Sequence, residues 1–256
     1  MKKFNNIQLP PAKEIAFIAV EVALLIGGQA VLYPVAGVEI VTVLLLTFSW
    51  SFGPRAGVMS AICFCFLRCA LWGFYPSAFV LYIIYYPLFA LLFGFLGKVG
   101  DAAYAHLPIW SLIVINVTLA AVCASGIYCV VTDFLKISRL SIVLVKTLLA
   151  VIAALGFALI LALDIAAVLA RLGKINGSGA VKTILAAALA AICTIIFTLL
   201  DDFIAPLFLG YSLFSESWAV YFYGSFLALA PQTVCAIVSV STLFLPLTAI
   251  FKKAAK

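Results

Sequence analysis

Arg68 is a lone cation inside an otherwise apolar stretch, residues 56–74. It sits about seven residues from the stretch's end, or ~10 Å at 1.5 Å per residue. A charge that deep in an apolar segment must be paired, wetted or functional. Glu39 and Asp202 are the carboxylates best placed to pair with it. Around it the sequence gathers Gln29 and Tyr33, Trp72 and Tyr75, Tyr82, Tyr85 and Tyr86, Asp201 and Asp202, and Trp218, Tyr221 and Tyr223. Such a set suits capture of a small hydrophilic or amphipathic molecule. Rings stack on a flat ligand, while Arg68 and the carboxylates fix its orientation. The expected ligand contacts are Gln29, Glu39, Arg68, Trp72, Tyr75 and Tyr82, joined by Asp202, Tyr223 and Gln232 from the distal half. Tyr and Trp also collect at any membrane interface, and an Arg near a segment end can snorkel outward.

Other chemistries lack their residues. His106 is the single histidine, so no Ser–His pair or multi-histidine metal site is available. It reads as a solvated loop residue. No P-loop or dinucleotide fingerprint occurs. Asp201-Asp202 is a carboxylate pair able to hold a divalent ion in a membrane transferase, but no matching acidic motif accompanies it. No metal or cofactor is therefore expected. All seven cysteines fall in apolar runs without a C-x-x-C pair and read as packing residues.

The elements that position these residues must be membrane helices. The chain is 67% hydrophobic and 9% charged over 256 residues, against about 25% charged in soluble domains. Hydrocarbon requires every backbone polar group to be paired within helices or a closed barrel. Barrel strands would alternate apolar and polar residues, and these runs do not. The expectation is an all-α, polytopic helical bundle forming a single integral membrane domain over 1–256. About eight spans are expected, at 14–34, 39–53, 56–74, 77–97, 108–132, 141–170, 180–200 and 218–250. The second is short, the last is long and is expected to tilt, to kink at Pro231 or to run out along the surface after Pro246, and counts from six to eight fit. The first run is longer than a signal peptide's apolar core and reads as a transmembrane helix.

Charge sets the orientation. With the N-terminus in the cytoplasm, eleven Lys and Arg fall inside, and only Lys136 and Arg139 fall outside. Both termini are therefore expected in the cytoplasm. The net charge of +6 suits lipid headgroups, and nothing in its placement suits nucleic acid. In the first helix Ala12, Ala16, Ala19, Ala23 and Gly27 form a stripe of small residues, which permits close approach of another helix. That helix belongs either to the same bundle or to a partner. Glu21, Asn116, Lys146 and Asp164 are isolated polar residues within spans. Glu21 needs a partner that the sequence does not name. Asn116 and Thr118 are placed to bond between helices, and snorkelling suffices for Lys146 and Asp164.

Two blocks carry a family resemblance. One runs Gly37-Val-Glu-Ile-Val-Thr-Val-Leu-Leu-Leu-Thr47, continues through Phe52-Gly-Pro-Arg-Ala-Gly57 and ends at Trp72-Gly-Phe-Tyr75. The other is Leu199-Leu-Asp-Asp-Phe-Ile-Ala-Pro-Leu-Phe-Leu-Gly210, followed by Tyr221-Phe-Tyr223 and Pro231-Gln-Thr233. With the alanine stripe these resemble a substrate-binding S component of an energy-coupling factor (ECF) transporter. The resemblance implies a non-enzymatic, multi-pass subunit of the bacterial cytoplasmic membrane. It would bind a vitamin-like micronutrient on the outer side and dock, through Ala16, Ala19, Ala23 and Gly27, on a transmembrane T subunit served by two ATPases. The chain departs from the family's usual six spans, and residues 101–176 read as an inserted helical segment. The rival readings are the Asp201/Asp202 metal-dependent lipid or isoprenoid transferase and an ion-coupled secondary transporter.

Overall fold

The computed structural model describes residues 10–255, apart from 36, 101–102, 105–106, 132–141 and 175–176. His106, Lys136 and Arg139 lie outside the described residues. The described chain is all helix with no strand: α1 (Pro11–Leu32), α2 (Val41–Phe52), α3 (Pro54–Trp72), α4 (Pro76–Gly97), α5 (Ile109–Val131), α6 (Ile142–Arg171), α7 (Gly177–Phe208) and α8 (Glu216–Ala254). Seven of these are long and apolar enough to cross a membrane; α2 is the exception. The protein is a polytopic membrane helical bundle. Proline opens α1, α3 and α4 at the first helical position, where its missing N–H costs nothing. α8 continues through Pro231 and Pro246 as one unbroken helical element of 39 residues.

The chain divides into two compact units. Unit 1 comprises residues 1–101 and 242–256, and unit 2 comprises 102–241. The second therefore opens where the insertion was expected, but it reaches Ser241 rather than residue 176.

Unit 1 runs up and down through α1–α4. Glu14 pairs with Arg55 at 3.7 Å, and Tyr33 stacks on Trp72 at 6.4 Å, so α1 and α3 are parallel. Phe17 meets Phe52 at 5.0 Å, and a side chain at Gly28 would strike Ile40, so α2 runs back between them. At 12 residues α2 rises only ~18 Å, less than the ~30 Å hydrocarbon layer. All twelve of its residues are buried, so its ends are recessed within the unit rather than at a surface. Gly53 (φ 93°) turns the chain straight into α3, a conformation that costs glycine little. α4 then packs so closely that Cβ atoms at Gly94 and Gly97 would strike the backbones of Pro54 and Trp50. Phe48, Phe52 and Ala56 form the core with Phe17 and Phe251.

In unit 2 α5 and α6 are antiparallel. The Asn116 amide donates to Asp164 Oδ1 at 2.8 Å, and the Cys123 thiol donates to the Ala153 carbonyl at 3.4 Å. Asp164, for which snorkelling was expected, is thus an interhelical acceptor. Leu149 and Ile152 of α6, Ile195 of α7, and Phe226 and Leu229 of α8 form its core.

Candidate functional site

Two groups of polar side chains emerge, one in each unit. In unit 1 the antiparallel packing of α3 on α4 brings Arg68 to Tyr82: the guanidinium carbon lies 4.2 Å from the ring centroid. Tyr82 packs on Tyr86 at 5.4 Å, and Tyr86 in turn meets Tyr85 and the edge of Phe64. Of the residues expected at the ligand, Arg68 and Tyr82 are thus brought together, with Tyr86 beside Tyr82.

The pairing within it differs from expectation. Among the described residues of its own unit, Arg68 makes no ion pair. It lies over a ring, and its Nε is buried without a hydrogen-bond partner. Glu39 has a local task instead. Its carboxylate accepts the Thr42 amide at 2.9 Å and the Thr42 hydroxyl, capping the recessed start of α2. Burial pushes the Glu39 carboxyl above its ordinary 4.5, and the bonds from Thr42 and the Val41 amide oppose that rise. Trp72 is half-buried under Tyr33. Gln29 is half-buried, with Oε1 shut away from solvent and unpartnered. Tyr75 is 64% exposed and stands apart from these contacts. Its position just before α4 gives it no helix to pack under.

Two further features of unit 1 bear on function. Glu21 is 1% exposed, and neither carboxyl oxygen has a partner among the described residues. The parallel register sets it level with Ser60 of α3, whose hydroxyl is also buried and unpartnered. On the opposite face of α1, Ala12, Ala16, Ala19, Ala23 and Gly27 are all exposed, and a Cβ at Gly27 would meet nothing within 4 Å. No described residue of unit 1 packs over the stripe.

In unit 2 the residues Phe197, Thr198 and Asp201 of α7 and Tyr221, Ser225 and Gln232 of α8 line a cavity of about 410 Å³. The Tyr221 phenol donates to Asp201 Oδ2 at 2.8 Å, and the Ser225 hydroxyl reaches Asp202 Oδ2 at 2.9 Å. Asp202 is 1% exposed, with Oδ1 unpartnered, and its carbonyl accepts the Trp218 indole N–H at 3.0 Å. Of the distal residues expected to touch ligand, Gln232 lines this cavity. Asp202 sits behind it, and Tyr223 packs among Phe222 and Phe226. Tyr86, Asp201, Tyr221 and Ser225 were not among the expected contacts. A carboxylate and a tyrosine twenty residues apart give no sequence signal of a bond until two helices are docked. No group of three His, Cys, Asp or Glu suited to a metal ion occurs among the described residues.

No protein-family model matches the chain, and no curated protein or solved structure matches it.

Proposed function

We propose that the chain is the substrate-capture subunit of an ATP-driven importer of the energy-coupling factor type, resident in a bacterial cell membrane. The observation that carries this reading is Arg68: a guanidinium within a membrane helix, ring-packed on Tyr82, with Nε buried and no carboxylate paired to it. Such a cation is costly to maintain without a counter-charge. A nutrient bearing an acidic group would supply that charge. A flat ring on the same molecule would find Tyr82, Tyr86 and Trp72. Gln29 adds an unpartnered amide oxygen to the same unit. The exposed small-residue stripe of α1 supports docking on a T subunit, because no described residue of its own unit covers it. ATP hydrolysis would belong to two separate ATPase chains.

Purified protein carrying its co-purified small molecule, identified by mass spectrometry, provides the test. Arg68→Ala should weaken rebinding of that molecule by about 1.5–3 kcal/mol, the scale of a charge-assisted hydrogen bond, while Arg68→Lys should restore part of the loss. Unchanged affinity in Arg68→Ala overturns the site. Uptake by the chain alone in vesicles would establish the secondary transporter instead. Chelator-sensitive turnover by the chain alone would establish the transferase.

A further inference from the structure

The unit 2 cavity has a chemistry of its own, set by where its protons already go. The Tyr221 hydroxyl proton is directed to Asp201 Oδ2 at 2.8 Å. The single Ser225 proton is shared between Asp202 Oδ2 at 2.9 Å and the Phe222 carbonyl at 2.7 Å. The Thr198 hydroxyl donates to the Thr194 carbonyl at 3.3 Å. Each hydroxyl on the wall therefore turns its lone pairs, not its proton, to whatever enters. Among the described residues, of the two Asp201 carboxylate oxygens only Oδ2 accepts a hydrogen bond, which leaves Oδ1 to face an entering group. Behind the wall Asp202, 1% exposed, keeps Oδ1 without a partner. Gln232 is the one lining side chain with N–H groups to offer, and its amide oxygen is a further acceptor. Lys146, Arg171, Lys174 and Lys182 belong to unit 2, and none lines the cavity.

A wall rich in acceptors, poor in donors and carrying a carboxylate repels anions and leaves neutral acceptors unsatisfied. It matches a group that brings several donors and a positive charge. Phe197 and Tyr221 add rings, whose faces attract cations. The volume of about 410 Å³ is that of a small-molecule site. A divalent metal fits less well, because only one lining carboxylate faces the cavity and a hard cation would want several.

We infer that this cavity binds a primary ammonium group attached to an apolar body, with Asp201 as counter-ion and Gln232 and the hydroxyl oxygens as acceptors. The inference stands on the cavity alone and does not require the importer reading.

The experiment uses full-length protein in phosphatidylcholine nanodiscs and compares three probes of like shape: phenethylamine, phenethyl alcohol and phenylpropionate. Calorimetry should show phenethylamine binding at least about tenfold more tightly than the alcohol, with no binding of the carboxylate. Asp201→Asn should abolish that preference, while Asp164→Asn, which removes a carboxyl bonded to Asn116, should leave it intact. Should Asp201→Asn fail to fold, the three probes on the natural sequence remain decisive. Equal binding of amine and alcohol, tighter binding of phenylpropionate, or no binding of the amine overturns the inference. Magnesium that displaces phenethylamine would reassign the site to a metal.

Discussion

Among single residues, Arg68 and Glu39 show how far a residue type predicts its partner. An arginine in an apolar run is conspicuous, so its importance could be read directly. Its partner could not, because the sequence offers several carboxylates and docking chose a ring. Glu39 was expected at the ligand, and in the structure its carboxylate holds the first turn of α2 through Thr42. Glu39→Ala should therefore lower unfolding stability by about 1 kcal/mol, the usual worth of a helix cap, read as a loss of melting temperature in detergent. The pH dependence has a definite sign. Burial raises the folded-state carboxyl above 4.5, so the folded protein binds the proton more tightly than the unfolded chain does. Stability should fall as pH rises from 4.5 through the folded-state value. Glu39→Gln should flatten that slope, and an unchanged slope would show that another group sets it.

At the level of elements, α2 is the piece whose form depends most on its neighbours. Twelve apolar residues are too few to span, yet α2 returns the chain between the parallel α1 and α3. That is feasible because it is wrapped on every side and because glycines let α4 approach. Gly94→Ala would place a methyl against the backbone of Pro54, which cannot swing aside as a side chain can. Overpacking of this kind costs about 1–3 kcal/mol, and thermal unfolding should show it. The stripe on α1 predicts the opposite. Ala19 and Ala23 are exposed, so Ala19→Leu with Ala23→Leu should leave the melting temperature and ligand affinity of the isolated chain unchanged. Uptake with the T subunit and ATPases should fall several-fold. Wild-type uptake would remove the docking role from this face. The spacing of the stripe was plain in the sequence. Whether it faced in or out was not, since four-residue periodicity serves both.

For the whole molecule, the eight helices follow the eight expected segments within a few residues at most boundaries, and the last two extend further. Hydrocarbon accounts for that agreement: it forces helix wherever a run is apolar and leaves little for tertiary context to decide. The grouping of those helices was not legible, and the division falls at residue 102 and again inside α8 at Ser241. Orientation can be checked in a cysteine-free background. Ala12→Cys and Leu172→Cys, both at exposed positions, should resist membrane-impermeant maleimide in intact cells. Val35→Cys, also exposed, should react. The reverse pattern would invert the membrane orientation set by the Lys and Arg bias.

Composition alone settled the solvent, the helical class and the approximate limits of each helix, because these depend on local apolar content and on the backbone's need for internal hydrogen bonds. Docking of helices settled the remainder. It set Arg68 on Tyr82 rather than on an acid, made Glu39 a cap, joined Asp201 to Tyr221 across two helices and turned the small-residue face of α1 outward. Those outcomes depend on the rotation of each helix about its axis and on its register against its neighbours. A one-dimensional pattern constrains the first loosely and the second hardly at all.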